Sequence, residues 1–160
     1  MPIKIVPKGL RSFDAHDADF FLELVPGPRD REGLPESIRF WKTQIEETDA
    51  DATFPVGLVY GPSGCGKSSL VKAGLLPRLA PHVIAVYVEA TAADTEARLL
   101  RALRKFVAPP SGGAAESSAG LNPPEGGTTN LAEFLAALRR GHAMAAGKKL
   151  VIVLDQFEQW

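Results

Sequence analysis

A glycine-rich stretch near the middle of the chain constrains the fold more than any other sequence feature. Residues Gly61–Ser68 read Gly-Pro-Ser-Gly-Cys-Gly-Lys-Ser and match the pattern G-x-x-x-x-G-K-[ST] in full. An apolar run, Phe54–Tyr60, precedes the stretch, and a segment with helical apolar spacing, Leu70–Leu79, follows it. A buried strand, a glycine-rich turn and a helix in this order predict a phosphate-binding loop, or P-loop (Walker A motif).

Each part of this motif has a physical role in holding phosphate groups. Its three glycines permit backbone angles and close approaches that a β-carbon would block, so that loop N–H groups converge on the phosphates. Lys67 supplies a mobile positive charge, Ser68 offers its hydroxyl oxygen to Mg²⁺, and Ser69 reaches the α-phosphate. A glycine-rich turn that matches by chance is the alternative, and the strand and helix around it disfavour that interpretation. The predicted nucleotide-binding residues are Gly61, Pro62, Ser63, Gly64, Cys65, Gly66, Lys67, Ser68 and Ser69.

A carboxylate ends a second apolar run near the end of the chain. The run Leu150–Leu154 is followed directly by Asp155. In P-loop enzymes a carboxylate at the end of such a strand (Walker B motif) holds Mg²⁺. Asp alone often starts a turn, but after a P-loop this pattern predicts a metal ligand. The predicted metal residues are therefore Ser68 and Asp155.

The candidate general base lies three residues beyond this carboxylate. Glu158 is the nearest group that could accept a proton from an attacking water, and with Lys67 it completes the predicted catalytic residues. Gln156 occupies the adjacent position, where the simplest pattern has glutamate, and an amide cannot accept the proton. Either Glu158 reaches the site around a tight turn, or hydrolysis is slow and Gln156 or Gln159 orients the water. We prefer Glu158.

Apolar runs alternate with amphipathic segments along the chain, which predicts the fold class. Val83–Val88 is rich in β-branched residues and is typical of a buried strand. Helices are predicted after Asp94 and after Asn130, each of which can cap a helix. Strands that alternate with helices indicate an α/β fold with a parallel sheet covered on both faces.

The chain is predicted to have two parts and one insertion. Residues 1–50 are interpreted as an N-terminal helical leader, with helix starts at Asp14 and Pro35. Residues 51–160 are interpreted as a partial P-loop domain. Within it, residues 109–129 are rich in proline, glycine and serine and are predicted to form a flexible insertion.

Composition limits the classes of function. The formal net charge of -1 gives no overall attraction to nucleic acid or anionic lipid. No apolar run approaches the roughly 20 residues that a membrane-spanning helix needs, and the N-terminus lacks the features of a signal peptide. A single cysteine, Cys65, suits a reducing compartment. We therefore expect a cytoplasmic protein.

Four sequence segments together resemble a known family. They are Gly-Leu-Arg-Ser-Phe near the start, Asp-Ala-Asp-Phe-Phe at 17–21, the P-loop with its extension Leu-Val-Lys-Ala-Gly-Leu-Leu-Pro-Arg-Leu, and Leu-Asp-Gln-Phe-Glu-Gln near the end. The chain resembles the STAND ATPases, signal-transduction ATPases with numerous domains, and within them the first family of novel STAND NTPases. That group is often found in bacterial proteins beside Ser/Thr kinase or WD-repeat domains, so fused domains or protein partners are expected.

The resemblance implies a nucleotide-dependent switch. Proteins of this class rest closed with ADP, open on exchange for ATP, and reset on hydrolysis, so ATP or ADP and Mg²⁺ are the implied cofactors. The class also places a short Gly-Arg-Glu-type motif near the adenine. The corresponding region here is Pro26–Glu32, in which an adenine role for Arg29 and a solvated charged loop are equal alternatives.

The same resemblance implies a three-layer P-loop NTPase that is truncated after the Walker B strand. Its sheet order would be 5-1-4-3-2, with Leu150–Leu154 as strand 3 and strand 4 following Trp160. We therefore expect ATPase activity in an intact parent protein, and little or none, with marginal stability, in this chain alone.

Two other classes of function were weighed. Arg98, Arg101 and Lys105 line one face of a predicted helix and could form a nucleic-acid-binding module. No aromatic residue interleaves with them, so a solvated helix face is preferred and nucleic acid is not an expected partner. A P-loop phosphotransferase ranks lower, because no acceptor site is recognisable.

Overall fold

The computed structural model describes residues 11–106, 130–140, 144 and 146–159. The chain divides into two compact units, Met1–Val83 and Ile84–Trp160, called here the first and second units. The insertion predicted at residues 109–129 lies outside the described residues. A leader ending near residue 50 stays a prediction, because the structure divides the chain at a different place.

Two helices of the first unit begin where the sequence predicts. Asp14 caps a 3-10 turn, Ala15–Asp17, by accepting a hydrogen bond from the backbone N–H of His16 at 2.9 Å. Helix α1, Ala18–Leu24, follows directly. Helix α2, Glu36–Glu46, begins immediately after Pro35, whose fixed φ suits a helix start.

The helix after the glycine-rich loop changes its winding along its length. It begins as the short α-helix α3, Lys67–Ser69, continues as a π-helix, Leu70–Leu75, and ends as a 3-10 turn, Leu76–Arg78. We call these three pieces together the P-loop helix. The helix predicted from the apolar spacing of Leu70–Leu79 is therefore confirmed. Pro77 is expected to end or kink such a helix, and the backbone is extended two residues later, at Leu79.

An arginine compensates for the proline that ends this helix. Because Pro77 has no N–H, the carbonyl of Ala73 lacks its usual α-helical donor. Arg78 Nη1 donates to the carbonyl of Ala73 at 2.7 Å and to that of Gly74 at 3.1 Å. Its Nη2 donates to the carbonyl of Ala18 at 2.9 Å. One side chain therefore ends the P-loop helix and holds α1 against it.

The core of the first unit is built around a close helix contact at Gly74. A β-carbon there would lie 2.9 Å from Cδ1 of Ile38 and 3.1 Å from Cε1 of Phe21. Only glycine therefore lets α1 and α2 approach the P-loop helix this closely. The buried apolar residues described in this unit include Phe21, Ile38, Ile45, Ala73 and Leu75.

The strand predicted at Phe54–Tyr60 does not form, and that prediction is wrong. No described segment pairs with its backbone, and Val56, Leu58 and Tyr60 are 83%, 74% and 86% exposed. The Phe54 ring instead meets the Trp41 ring edge to face, with centroids 5.5 Å apart. An apolar run becomes a strand only when another strand satisfies its N–H and C=O groups, and none of the described residues does so here.

The second unit contains the sheet. Strand β1, Val83–Glu89, and strand β2, Lys149–Asp155, form a two-stranded sheet. The N–H of Ala90 donates to the carbonyl of Asp155 at 2.8 Å, so both strands end at the same edge and run parallel. This confirms two of the predicted strands and the α/β class. The described residues contain no third strand, so the three-layer fold stays a prediction.

Helices α4, Thr95–Phe106, and α5, Leu131–Arg139, cover one face of this sheet. The predicted cap of α5 is confirmed, since Asn130 Oδ1 accepts a hydrogen bond from the N–H of Glu133 at 2.8 Å. A 3-10 turn, Phe157–Gln159, follows β2. Four buried residues form the centre of this core, with partly buried leucines of α5 and β2 around them; they are Val86, Val88, Leu99 and Leu103.

Candidate functional site

The glycine-rich loop has the backbone conformation that its sequence predicts. Gly64 and Gly66 have φ angles of 78° and 94°, in the left-handed region that other residues rarely adopt. A β-carbon on Gly61 would lie 2.8 Å from Sγ of Cys65, because the loop closes tightly on itself. Gly66 then caps α3, so the loop leads straight into a helix N-terminus.

Lys67 folds back over this loop. Its Nζ donates to the carbonyl oxygens of Gly61 at 2.8 Å and Pro62 at 3.0 Å. Residues 61–65 are exposed, so a ligand can approach the loop from solvent. A phosphate oxygen is negatively charged and is therefore a stronger hydrogen-bond acceptor than a neutral carbonyl oxygen. It would compete with these carbonyls for the ammonium group of Lys67.

The two serines after Lys67 have different surroundings. Ser69 is only 7% exposed, and its Oγ accepts a hydrogen bond from the N–H of Phe13 at 3.0 Å. Ser68 is half-buried, and its hydroxyl makes no side-chain hydrogen bond within the described part of the chain. Lys72 Nζ lies 3.4 Å from Oγ of Ser12, one turn further along. Sequence reasoning missed this docking of residues 12–13, because no local pattern indicates it.

Hydrogen bonds hold the carboxylate of Asp155 at the end of β2. Its Oδ1 accepts from the N–H of Gln156 at 2.9 Å, and its Oδ2 accepts from the phenol of Tyr87 on β1. Burial and this hydrogen bond raise the pKa of Tyr87 well above its ordinary value, so the phenol keeps its proton. Sequence reasoning missed Tyr87. Alternation along β1 places it opposite the core face, but its partner depends on the register between the strands.

A tight turn follows Asp155. Gln156 has a φ of 54°, the only positive φ among the described non-glycine residues, and its carbonyl accepts from the N–H of Gln159 at 2.8 Å. Glu158 lies exposed within that turn. The turn that the Glu158 hypothesis requires is therefore present. Its geometry does not by itself choose between Glu158 as base and a glutamine that orients water.

The predicted site residues form two groups. Residues 61–69 form one loop and helix start in the first unit, and Asp155 and Glu158 lie three residues apart in the second. Among the described residues, no group of three or more His, Cys, Asp or Glu side chains has an arrangement that could hold a metal ion. The hydroxyl of Ser68 and the carboxylate of Asp155 are nevertheless the oxygen donors that Mg²⁺ prefers, with phosphates and waters supplying its other ligands.

Arg29, the candidate for an adenine contact, is used structurally. Its guanidinium donates to the carbonyls of Leu22 at 2.6 Å, Val25 at 3.3 Å and Gly33 at 3.0 Å. It thereby closes the end of α1 and the loop that follows. An open cavity of about 490 Å³ lies beside this loop. Its lining residues are Pro26, Gly27, Pro28, Glu36, Ser37, Phe40 and Trp41.

Comparison with known proteins places this geometry in context. The family described as Novel STAND NTPase 1 matches residues 8–160, which includes both groups of candidate site residues. No curated protein and no solved structure matches the chain significantly. In the described part of the chain, no helix has the length and apolar character needed to cross a membrane.

Proposed function

The chain belongs to the novel STAND NTPase 1 family, and we propose that it binds ATP or ADP together with Mg²⁺ as the nucleotide module of a signalling switch. The observation that carries this proposal is the loop at residues 61–66. Two of its glycines adopt left-handed angles and a third is in close contact with Cys65, immediately before a helix N-terminus. A loop of this shape turns backbone N–H groups toward an anion.

Lys67 is the residue that changes partners when nucleotide binds. Its Nζ leaves the carbonyls of Gly61 and Pro62 for the β- and γ-phosphates, exchanging neutral acceptors for charged ones. Charge-assisted hydrogen bonds of this kind are worth about 1.5–3 kcal/mol each. The same ammonium group stabilises negative charge that develops during phosphoryl transfer.

Ser69 can bind the α-phosphate and keep its hydrogen bond to the N–H of Phe13. Its oxygen accepts from the N–H of Phe13, which leaves the hydroxyl proton to be donated to the α-phosphate. We assign Ser68 and Asp155 as the residues that would hold the metal ion, the first through its hydroxyl and the second through its carboxylate. Bound Mg²⁺ would neutralise phosphate charge and help to orient the γ-phosphate.

Hydrolysis requires a group that accepts or orients a water proton. We assign Glu158 as the base, because the turn after Asp155 exposes it within three residues of the proposed metal ligand. Gln156 and Gln159 are the alternatives for orienting water. In the proposed cycle, ATP binding opens a cytoplasmic bacterial signalling protein and hydrolysis closes it, with kinase or WD-repeat domains or other proteins receiving the signal.

The test is an ATP titration of the full 160-residue chain and of a Lys67→Ala variant. We expect Lys67→Ala to weaken ATP binding about tenfold to a hundredfold, the equivalent of one charged hydrogen bond. Lys105→Ala is the matched control, because Lys105 is an exposed helical lysine outside the loop. Equal ATP affinity in wild type and Lys67→Ala would contradict the proposal.

The same variants also test the nucleic-acid alternative. Arg98 forms an ion pair with Asp94 at 2.9 Å, so part of the basic helix face is already engaged within α4. We expect no salt-dependent DNA binding that Lys105→Ala weakens. DNA binding that survives loss of Lys67 and falls with loss of Lys105 would favour the alternative.

A further inference from the structure

The side chain of Tyr87, on the neighbouring strand, bonds the carboxylate of Asp155. The backbone contact between Ala90 and Asp155 fixes the register of β1 and β2 at this edge. In that register the phenol of Tyr87 donates to Oδ2 of Asp155. Neither residue is on the face that α4 and α5 cover, because Val86 and Val88 occupy the alternate positions of β1.

Each oxygen of this carboxylate is held by a hydrogen bond. The phenol of Tyr87 donates to Oδ2, and the N–H of Gln156 donates to Oδ1. Because one donor is backbone and the other is on a paired strand, rotation of the carboxylate about its χ2 angle breaks at least one bond. These two bonds therefore restrict the orientation of the carboxylate.

From this arrangement we propose that Tyr87 is a positioning residue that holds the carboxylate of Asp155 in the orientation that receives hydrated Mg²⁺. The inference rests on the proposed function, since it gives Asp155 the role of metal ligand. A residue that hydrogen-bonds to a metal ligand restricts the orientation of that ligand. Loss of such a residue commonly weakens metal binding about 10–100-fold. Tyr87 contacts neither metal nor nucleotide and acts only through Asp155.

The experiment measures ATP affinity as a function of Mg²⁺ concentration, starting from EDTA. Wild type, Tyr87→Phe, Asp155→Asn and the double variant are compared. Phenylalanine keeps the ring and removes only the hydroxyl, so folding is checked by the Mg²⁺-free ATP affinity, which should not change. Tyr60→Phe is the matched control, because Tyr60 is the only other tyrosine and is 86% exposed.

We expect Tyr87→Phe to raise, by about 10–100-fold, the Mg²⁺ concentration that gives half of the maximal change in ATP affinity. Tyr60→Phe should leave that concentration unchanged. The double variant should match Asp155→Asn alone, because Tyr87 acts only through that carboxylate. Mn²⁺ binding to the nucleotide-free chain, followed by electron paramagnetic resonance, should show the same order of variants.

Two results would overturn the inference alone. One is a wild-type Mg²⁺ response in Tyr87→Phe beside a defective Asp155→Asn. The other is tighter Mg²⁺ binding in Tyr87→Phe, which would mean that the phenol competes with the metal. If Asp155→Asn itself keeps the wild-type Mg²⁺ response, the proposed role of Asp155 fails and the inference fails with it.

Discussion

Two apolar runs in this chain, both predicted to be strands, differ in structure. Leu150–Leu154 lies within β2 and pairs with β1, while one face of the resulting sheet packs against α4 and α5. Phe54–Tyr60 is unpaired, and its alternate residues Val56 and Leu58 are largely exposed. Both runs precede a candidate phosphate or metal site. The proposed metal ligand, Asp155, therefore ends a paired strand, whereas the proposed phosphate loop follows an unpaired segment.

This difference shows that strand formation depends on a partner more than on local composition. Both runs are rich in residues with high strand propensity, yet only one finds a neighbour among the described residues. The P-loop keeps its conformation without a paired strand before it, because the helix after it is fixed independently. Arg78 and the close contact at Gly74 hold that helix against α1 and α2.

The largest expected effect is on the free energy of unfolding, and it is tested by one substitution in the core beneath the sheet and a matched one in the 54–60 segment. Leu103 is fully buried beneath the sheet and Leu58 is 74% exposed. Leu103→Ala should lower the free energy of unfolding by about 2–5 kcal/mol, and Leu58→Ala by less than about 0.5 kcal/mol. Urea denaturation followed by circular dichroism measures both. A comparable loss in Leu58→Ala would mean that the 54–60 segment is buried in solution and would break the comparison.

A second pair of substitutions tests what orders the P-loop helix. Arg78 has a side chain only 17% exposed and makes three hydrogen bonds to backbone carbonyls. Lysine cannot reproduce its fork of donors, so Arg78→Lys should destabilise the first unit by about 1.5–3 kcal/mol. Arg39→Lys is the control, because Arg39 is half exposed and its ion pair with Glu36 is long, at 3.9 Å. Equal stability of the two variants by denaturation would contradict this assignment.

The adjacent serines allow a finer test in the same region. Ser69→Ala removes the acceptor for the N–H of Phe13 and should cost about 0.5–1.5 kcal/mol in the nucleotide-free protein. Ser68→Ala should leave that stability unchanged and should instead weaken the effect of Mg²⁺ on ATP binding. Thermal unfolding without ligand and ATP titration with Mg²⁺ distinguish them. Reversed results would exchange the roles assigned to the two hydroxyls.

The smallest expected effect concerns the second unit and depends on pH. Hydrogen bonds from Thr91 and Arg98 lower the pKa of Asp94, an exposed residue at the start of α4. A carboxyl with a lowered folded-state pKa stabilises the fold above its unfolded value of about 3.9 and loses that contribution as pH falls through the folded value. Asp94→Asn should therefore lower the unfolding temperature slightly at pH 7, and this difference should vanish near pH 2. A constant difference at both pH values would contradict this interpretation.

The features that sequence predicted correctly depend on neighbours along the chain. Asp14, Pro35 and Asn130 start helices through caps within three residues, and Gly64 and Gly66 take angles that their own lack of a β-carbon allows. The parallel sheet of the α/β class also followed, because apolar, β-branched runs alternate with helical segments along the chain.

The features that sequence did not reveal depend on contacts between distant residues. Tyr87 reaches Asp155 only because of one strand register, and Arg78 reaches Ala18 across 60 positions of sequence. The docking of Phe13 on Ser69 is of the same kind. The wrong prediction at Phe54–Tyr60 has the same cause, since pairing is a property of two segments and sequence pattern describes only one.

Amide hydrogen exchange with and without Mg²⁺ and ATP tests the central claim most directly. We predict that ATP protects the amides of residues 61–69 in the wild type and fails to do so in Lys67→Ala, because loop N–H groups and Lys67 bind the phosphates together. Peptides from α4, Thr95–Phe106, should exchange alike in both conditions. Bound ATP that leaves exchange at residues 61–69 unchanged, or protects only other segments, would contradict the assignment of this loop as the nucleotide site.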